Sequence, residues 1–287
     1  MSFKEKLKSK EKIFLDGGNG SEIARLGGDM SPAFAALATI NSPDIVTKVH
    51  ENFICAGCDI ITANTFATNR HNLNSLDHSD KIETFISKSV ELARKAVSNT
   101  GKENKIGIAG SLSNFFPLKE NEFVPNPKYV PTYKQEEKNY KEAAKILKDS
   151  GVDILILEML LDIDHSKTLL TAALETGLPV WVGLSCCISK FDNRVISSGF
   201  TLSSEILPPV ADTAIAKVPA SILSGGIENF VPFRLLTPSI DIVFVPCPLI
   251  FAPILFNISA KAITSGSFAA LLIIDLPSAN DAIIKKK

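Results

Sequence analysis

The segment GVDILILEM, residues 151–159, carries the clearest signal of fold in the chain. Gly151 is expected to end a helix, because glycine readily adopts the left-handed backbone conformation found at helix C-termini. The apolar run ILIL that follows predicts a strand buried on both faces, as in parallel sheets covered by helices. Glu158 ends that strand, and a carboxylate leaving a buried strand must face a partner or a ligand. A structural ion pair with a neighbouring loop is the alternative.

The same alternation of strand and helix extends in both directions from this segment. Apolar runs predict four more strands, at residues 13–15, 58–66, 105–111 and 178–185. Apolar residues at helical spacing predict helices at residues 42–54, 82–97, 132–149 and 166–176, with Ser42 and Thr132 as N-caps. The first four strands begin about 45 residues apart, which is typical of parallel βα units.

The predicted fold is therefore α/β, a (β/α)8 TIM barrel in which residues 1–287 form one domain. Further possible strands, at residues 220–225, 241–246 and 269–275, bring the count to eight. Residues 201–287 contain 12 charged positions in 87, against 49 in the first 200, and 9 prolines against 7. Because helices that cover a barrel need charged outer faces, this last third is predicted to be irregular or incomplete.

The overall composition excludes several classes of function. The net charge of −1 and the pI of about 6.4 leave no basic face for nucleic acid. Residues 242–260 are uncharged, but three prolines interrupt them, so a membrane span is not expected. The charged start, MSFKEKLKSKEK, has no apolar region of a secretory signal. Five cysteines without disulfide spacing indicate reduced thiols and a cytoplasmic protein.

Small, polar and acidic residues follow each of the first four predicted strands. In a barrel the carboxyl ends of the strands form the ligand face, so these residues are the candidate site. They are Asp16, Gly17 and Gly18, then Asn64 and Thr65, then Gly110, Ser111 and Ser113, and finally Glu158. A tight turn is the simpler interpretation of the glycine pair in DGGNG. The lysine and Ser/Thr of a phosphate loop are missing from it.

Cysteines and histidines offer weaker signals. The CAGC segment, residues 55–58, lies between a predicted helix and the strand that follows it, at the amino-terminal side of the sheet and away from the ligand face. Packing thiols are therefore expected. Cys186 and Cys187 follow the fifth predicted strand on the ligand face, and Cys247 ends a later strand. These three are the weak candidates for a metal ligand or nucleophile. The four histidines show no ligand spacing, and solvated or capping roles are expected.

Four motifs together resemble the homocysteine S-methyltransferase family, the barrel enzymes related to betaine-homocysteine methyltransferase. They occur in the family's order over residues 11–200, and they read FLDGGNGSEIARLG, ENFICAGCDIITANTF, GIAGSL and SGVDILILEM. The resemblance implies a (β/α)8 barrel that moves a methyl group from a sulfonium or quaternary ammonium donor to the thiol of homocysteine, giving methionine. It also implies a zinc ion, held by three cysteines, that binds the sulfur as thiolate.

The same resemblance implies roles for the candidate site. Asp16, Gly17 and Gly18 would line the amino-acid end of homocysteine, with the glycines letting backbone N–H groups approach its carboxylate. Glu158 would hold the α-ammonium, so Asp16 and Glu158 are the candidate catalytic residues. Asn64, Thr65 and Ser111 would be additional pocket residues. Homocysteine and a methyl donor are the expected partners, and the oligomeric state stays open.

The last third departs from the family pattern. The family takes one zinc ligand from strand six and an adjacent pair from a GGCC motif on strand eight. Here the corresponding runs read ASILSGGIENF and LLIIDLPSAN, without cysteine. Three interpretations remain open. The C-terminal part is altered, for example by a reading-frame slip; or the chain is a catalytically inactive barrel that binds a small amino acid without zinc; or Cys186, Cys187 and Cys247 form a relocated site.

Overall fold

The computed structural model describes residues 1–9, 11–30, 33–120, 125–160, 162–188, 195–197, 234–237, 240–246 and 270–276, with side chains as far as residue 183 apart from residue 163. The described residues fall into two compact units. The first contains Met1–Glu158 and Lys167–Val180, and the second contains Met159–Ser166 and Trp181–Leu276. The strand predicted at residues 220–225 and the residue Cys247 lie outside the described part. That residues 1–287 form one domain stays a prediction.

Helices and strands alternate through the first part of the chain. Its helices are α1 (Phe3–Lys8), α2 (Asn19–Arg25), α3 (Ala38–Asn41), α4 (Pro43–Ala56), α5 (Arg70–Asn74), α6 (Ile82–Asn99), α7 (Tyr133–Asp149) and α8 (Ile163–Leu174), with a 3-10 turn at Ser79–Lys81. The strands are β1 (Ile60–Ala63), β2 (Gly107–Ser113), β3 (Ile154–Leu160) and β4 (Val180–Ile188). The predicted order of helices and strands is therefore confirmed up to β4.

Parallel pairing joins β1, β2 and β3. Ile60 lies opposite Gly107, and Ala109 lies opposite Ile154. Both strand β1 and strand β2 are buried along their whole length, because helices cover them. The amphipathic helix α6 buries the face that its sequence spacing predicts. Helices α6 and α7 each end two residues before a glycine with positive φ, Gly101 at +63° and Gly151 at +83°. The parallel βα organisation is confirmed here.

The first predicted strand is shorter than expected. Residues 13–15 are reduced to one parallel bridge, between Leu15 and Ile60. The backbone still follows β1, since the N–H of Asp16 donates to the carbonyl of Ile60 at 3.1 Å. Phe14 is 58% exposed, so this segment lacks the buried face that would extend the strand. The bridge nevertheless brings Asp16 to the side of β1.

One of the two predicted N-caps is correct. Thr132 accepts a hydrogen bond from the N–H of Gln135 at the start of α7. Ser42 precedes the proline that opens α4, but its side chain makes no capping hydrogen bond. Its hydroxyl instead accepts from the N–H of Asp29 at 3.2 Å. A tertiary contact therefore replaces the local one.

Antiparallel pairs characterise the second unit. Strand β4 pairs with β5 (Val195–Ser197), and β7 (Ile240–Pro246) pairs with both β6 (Arg234–Thr237) and β8 (Ala270–Leu276). The strands predicted at residues 241–246 and 269–275 are confirmed as β7 and β8. A (β/α)8 barrel needs parallel neighbours joined by helical crossovers, so these pairs depart from the predicted pattern. The chain is a mixed α/β protein with a parallel sheet, and barrel closure stays a prediction.

Within the described ranges, each helix is too short or too polar to cross a lipid bilayer. The uncharged stretch at residues 242–260 begins inside β7, and its remainder lies outside the described part.

Candidate functional site

Asp16 is held against β1 by its side chain. Its carboxylate accepts hydrogen bonds from the N–H of Thr62 at 2.7 Å and from the hydroxyl of Thr62 at 2.8 Å. The amide of Asn19 donates to the carboxylate at 3.4 Å and to the carbonyl of Thr62 at 2.8 Å. Burial raises the pKa of Asp16 from 3.8 to about 7; the bonds from Thr62 act against this rise, and the charge of Glu158 adds to it. The two predicted acids are therefore close enough to repel one another.

Glu158 reaches across the sheet to β2. The hydroxyl of Ser111 donates a short hydrogen bond to its carboxylate. Burial raises the pKa of Glu158, and the bond from Ser111 acts against that rise. Among the described residues no ion pair of Glu158 is found, and the structural ion pair considered from the sequence stays open for the rest of the chain. Asp16, Ser111 and Glu158 thus belong to one polar region at the carboxyl ends of the strands.

The two glycines beside Asp16 have different reasons to be glycine. A Cβ on Gly17 would lie 3.0 Å from the ring of Phe53, so packing against α4 disfavours a side chain there. A Cβ on Gly18 would meet only the hydroxyl of Ser21, at an ordinary 3.5 Å. Gly18 has a φ of −68°, and neither glycine adopts the positive φ of a tight glycine turn. Nothing described within the chain requires glycine at position 18, and both glycines are exposed.

Thr65 is committed to structure. It is 1% exposed, its hydroxyl donates to the carbonyl of Ser111 at 2.8 Å, and the N–H of Ser111 donates back to it at 3.0 Å. The side chain therefore continues the pairing of β1 with β2 beyond Ala63. The sequence could not show this, because the partner lies 46 residues away.

Asn64 holds a strained turn. Ala33, Phe34 and Ala35 all have positive φ, of 74°, 51° and 60°, which L-residues adopt at a cost of about 1–2 kcal/mol each. The amide of Asn64 donates to the carbonyl of Ala35 at 2.8 Å and to the hydroxyl of Thr39 at 3.2 Å. Asn64 therefore fixes the backbone that carries Phe34.

Three partly exposed phenylalanine rings form a cluster at this end of the sheet, which we call the aromatic triad: Phe34, Phe66 and Phe115. The ring of Phe34 meets the other two edge-on, with centroids 5.1 and 4.8 Å away, and Phe66 and Phe115 lie 5.9 Å apart. Ser113 ties the triad to β2, because its hydroxyl donates to the carbonyl of Phe66 at 2.7 Å. Ser111 and Ser113 are two residues apart on one face of β2, so the residue that binds Glu158 and the residue that binds the backbone of Phe66 share that face.

Asn19, Thr62 and the triad were not predicted from the sequence. Asn19 lies inside the DGGNG motif. Thr62 lies on the same strand face as Asn64, because alternate residues of a strand share a face. Phe66 and Phe115 directly follow the polar residues that end β1 and β2. Those positions were the available signal, whereas nothing local predicted that Phe34 would join them.

The candidate metal ligands stay untested. Cys186 and Cys187 lie inside β4, two residues and one residue before its end, rather than after it, and their side chains are not described. Cys247 is outside the described part. Among the described residues, no three His, Cys, Asp or Glu side chains come together in a way that could hold a metal ion. The described side chains therefore do not provide the zinc site that the resemblance implies.

Two other expectations about titratable residues can be compared with the structure. Cys58 of the CAGC segment is buried and Cys55 is exposed, and burial raises the pKa of Cys58 to about 12. The histidines were expected to be solvated or to cap helices, whereas His50 and His71 are buried. His50 is 0% exposed on the inner face of α4, and burial lowers its pKa to about 4.

Comparison with known proteins gives a consistent result. The family model described as homocysteine S-methyltransferase matches residues 13–215. A selenocysteine methyltransferase of Astragalus bisulcatus is 27% identical over 208 residues, which are 64% of this chain and 60% of that protein. A methionine synthase of Mycobacterium tuberculosis is 29% identical over 131 residues, which are 44% of this chain and 10% of the synthase. The chain thus spans less than two thirds of the length of these relatives.

A solved structure extends the likeness to the fold. The metallated form of the homocysteine methyltransferase MmuM from Escherichia coli superposes with a TM-score of 0.53 at 20% identity, covering 69% of this chain and 70% of that one. At this level of identity the likeness concerns the fold alone.

Proposed function

Because the chain belongs to the homocysteine S-methyltransferase family, we propose that it transfers a methyl group from a sulfonium or quaternary ammonium donor to the thiol of homocysteine. The product is methionine. The proposed fold is a (β/α)8 barrel, with the pocket at the carboxyl ends of β1, β2 and β3. The likeness to a solved homocysteine methyltransferase supports this fold.

The observation that carries the proposal is the pairing of Asp16 with Glu158. Two carboxylates that repel one another in a partly buried region favour a cationic ligand, because the cation relieves both the repulsion and the desolvation. The α-ammonium of an amino acid supplies that charge. Glu158 holds it, and Asp16 lines the same end of the ligand. Asn19 adds a buried carbonyl oxygen that has no hydrogen-bond partner among the described residues.

Gly17 and Gly18 bind the other charged group at the amino-acid end of the ligand, its carboxylate. Both are exposed beside Asp16, and the missing side chain of Gly18 has no described packing reason. A ligand carboxylate can therefore approach the backbone there. Ser111 positions Glu158, while Asn64 and Thr65 support the pocket through the backbone.

The aromatic triad supports the choice of donor. A sulfonium or quaternary ammonium ion is attracted to the faces of aromatic rings by about 0.5–2 kcal/mol per contact. Phe34 is 39% exposed and meets two other rings within 5.1 Å, so a methylated cation can reach the cluster. The position of the triad next to Ser113 keeps the donor near the acids.

The transfer itself is a displacement at carbon. The homocysteine sulfur attacks the methyl carbon of the donor, the bond from that carbon to the positive sulfur or nitrogen breaks, and its electron pair neutralises the leaving group. The thiol must first lose its proton, since a free thiol has a pKa near about 8.5. In the family zinc performs this activation. No zinc ligand set is present among the described residues, so no step is assigned to it here.

Methyl-transfer assays test the proposal. The protein is incubated with zinc, homocysteine and either S-methylmethionine or betaine carrying a deuterated methyl group, and labelled methionine is measured by mass spectrometry. Labelled product from either donor, lost in Glu158→Gln, is expected. Absence of product from every donor, with homocysteine bound to the zinc-loaded protein, excludes the transferase. Selenocysteine as acceptor in the same assay separates the two acceptor classes.

A second candidate is a catalytically inactive homologue that binds a small amino acid. The absence of cysteine from the two segments that should carry the family's zinc ligands favours it. Calorimetry with homocysteine in the absence of zinc, together with metal analysis of the purified protein, separates the candidates. Near-stoichiometric zinc contradicts the inactive homologue.

A further inference from the structure

The backbone of Phe115, one member of the aromatic triad, is held by two side chains of a single helix. The amide of Asn72 donates to its carbonyl at 3.1 Å, and the Nε2 atom of His71 lies 3.3 Å from the same oxygen. Both residues belong to the short helix α5, which follows β1. The N–H of Phe115 also donates to the hydroxyl of Ser113 at 3.3 Å.

For a neutral His71 ring, the hydrogen-bond network indicates the tautomer. The amide of Gln135 donates to the Oδ1 atom of Asn139 at 2.9 Å, which leaves the Nδ2 group of Asn139 facing the Nδ1 atom of His71 at 3.3 Å. Since Nδ2 can only donate, Nδ1 of His71 accepts. The ring proton therefore sits on Nε2 and points to the carbonyl of Phe115. A directed chain runs from α7 through His71 to the triad.

Burial and ring packing keep this chain in one arrangement. His71 is 4% exposed, Asn72 0% and Asn139 2%. The His71 ring lies 5.1 Å from the ring of Phe116 and 5.7 Å from that of Tyr140. Phe116 is buried, whereas its neighbour Phe115 is partly exposed. Ring packing therefore anchors Phe116, whereas the two hydrogen bonds to the carbonyl orient Phe115.

We propose that His71 and Asn72 are positioning residues for the methyl donor: they orient the backbone of Phe115 so that its ring completes the triad that receives the cationic group. The inference rests on the proposed function. His71 and Asn72 would act on donor binding through Phe115, without contacting either substrate. Homocysteine recognition, which belongs to Asp16 and Glu158, is independent of them.

Two variants of one residue separate positioning from bulk. His71→Gln places an amide nitrogen near the position of Nε2 and keeps a donor toward Phe115, whereas His71→Leu fills similar volume without a donor. Asn72→Ala removes the shorter carbonyl contact and serves if His71→Leu does not fold. Each variant carries 4-fluorophenylalanine at position 115. Its fluorine NMR spectrum is compared with that of the same labelled protein with native His71 and Asn72. Calorimetry then gives Kd for S-methylmethionine and for homocysteine.

The expected result is a displaced or broadened fluorine signal in His71→Leu and Asn72→Ala and a native-like signal in His71→Gln. Kd for S-methylmethionine should rise about tenfold in the first two, with Kd for homocysteine changed less than about threefold. An unchanged signal in all three variants overturns the inference, as does an equal loss of affinity for both ligands. If the unsubstituted protein binds homocysteine but no S-methylmethionine, the proposed donor fails and the donor role of His71 and Asn72 fails with it, while the fluorine signal still reports the orientation of Phe115.

Discussion

The carboxylate of Asp16 is bound twice by Thr62 and repelled by Glu158, and its pKa is raised to about 7. The hydrogen bonds alone would lower that pKa, so burial and the second acid outweigh them. Asp16 is therefore poised near neutrality, where a cationic ligand changes its protonation. This relationship connects substrate recognition with pH.

Ligand binding should release protons. An ammonium group beside Asp16 favours the ionised carboxylate, so up to about half a proton leaves per ligand at pH 7. Homoserine is the suitable probe, because it has the amino-acid end of homocysteine without the thiol. Calorimetry in phosphate and in Tris measures the release from the difference in apparent enthalpy. Asp16→Asn should lose most of it, and equal release in that variant would contradict the assignment.

Gly18→Ala should fold normally and weaken ligand binding. The new Cβ has room at ordinary contact distance and φ is negative, but alanine is a poorer N-cap for α2 than glycine, so the free energy of unfolding should fall by only about 0.5–1 kcal/mol. If a ligand carboxylate approaches this backbone, Kd for homocysteine should rise at least about tenfold. Urea unfolding and calorimetry give the two quantities.

Neighbouring glycines provide the controls for that experiment. Gly20→Ala, with nothing within 4 Å, should leave binding unchanged and stabilise α2 by about 0.5 kcal/mol. Gly17→Ala pushes the new Cβ to 3.0 Å from Phe53 and should destabilise by about 1 kcal/mol. Native affinity in Gly18→Ala would show that no ligand comes close there.

Asp16 and His50 should give opposite pH dependences of stability. Between pH 4 and 7 folded Asp16 holds a proton that the unfolded chain has lost, so its contribution to stability falls as pH rises. Between pH 6.5 and 4 folded His50 stays neutral while the unfolded chain takes up a proton, so its contribution falls as pH falls. The two slopes oppose one another between pH 4 and 6.5, each at most about 1.4 kcal/mol per pH unit.

Single variants should expose each slope. Asp16→Asn leaves stability that falls on acidification, and His50→Leu leaves stability that falls as pH rises toward 7. Urea unfolding at half-unit steps from pH 4.5 to 7.5 measures both. In the double variant, the contribution of these two positions to the pH dependence of the free energy of unfolding should nearly vanish. Equal curves for all forms would mean that neither group is buried as described.

What the sequence could predict depended on how local the cause was. The strand around residues 154–157 and the helix stop at Gly151 follow from neighbouring residues, and both are correct. The end of that strand also identified Glu158, because an acid after a buried run has few explanations. The turn at Ala33 to Ala35 could not be predicted, since its three left-handed residues are held by Asn64 from another element. The antiparallel pairs of the second unit depend on contacts distant in sequence, and a barrel pattern could not foresee them.

Removing one ring of the triad should affect donor binding alone. Phe34→Leu keeps apolar bulk but loses the aromatic face, so Kd for S-methylmethionine should rise about fivefold to tenfold while Kd for homocysteine stays constant. Phe14→Leu is the matched control, because Phe14 is 58% exposed and lies outside the triad. A similar change in both variants would show that general surface apolarity, rather than the triad, governs the donor.

The zinc question leads to a prediction about the coding sequence. The sharp fall in charge and the gain in proline after residue 200 would be explained by a reading-frame slip, the first of the three interpretations of the last third. We therefore expect that one of the two alternative frames beyond codon 200 encodes a GGCC motif. A chain rebuilt in that frame should carry about one zinc per molecule, measured by atomic emission, because a catalytic zinc site needs about three protein ligands. If neither frame contains the motif and the present chain binds one zinc, Cys186, Cys187 and Cys247 become the ligands to test by substitution with serine.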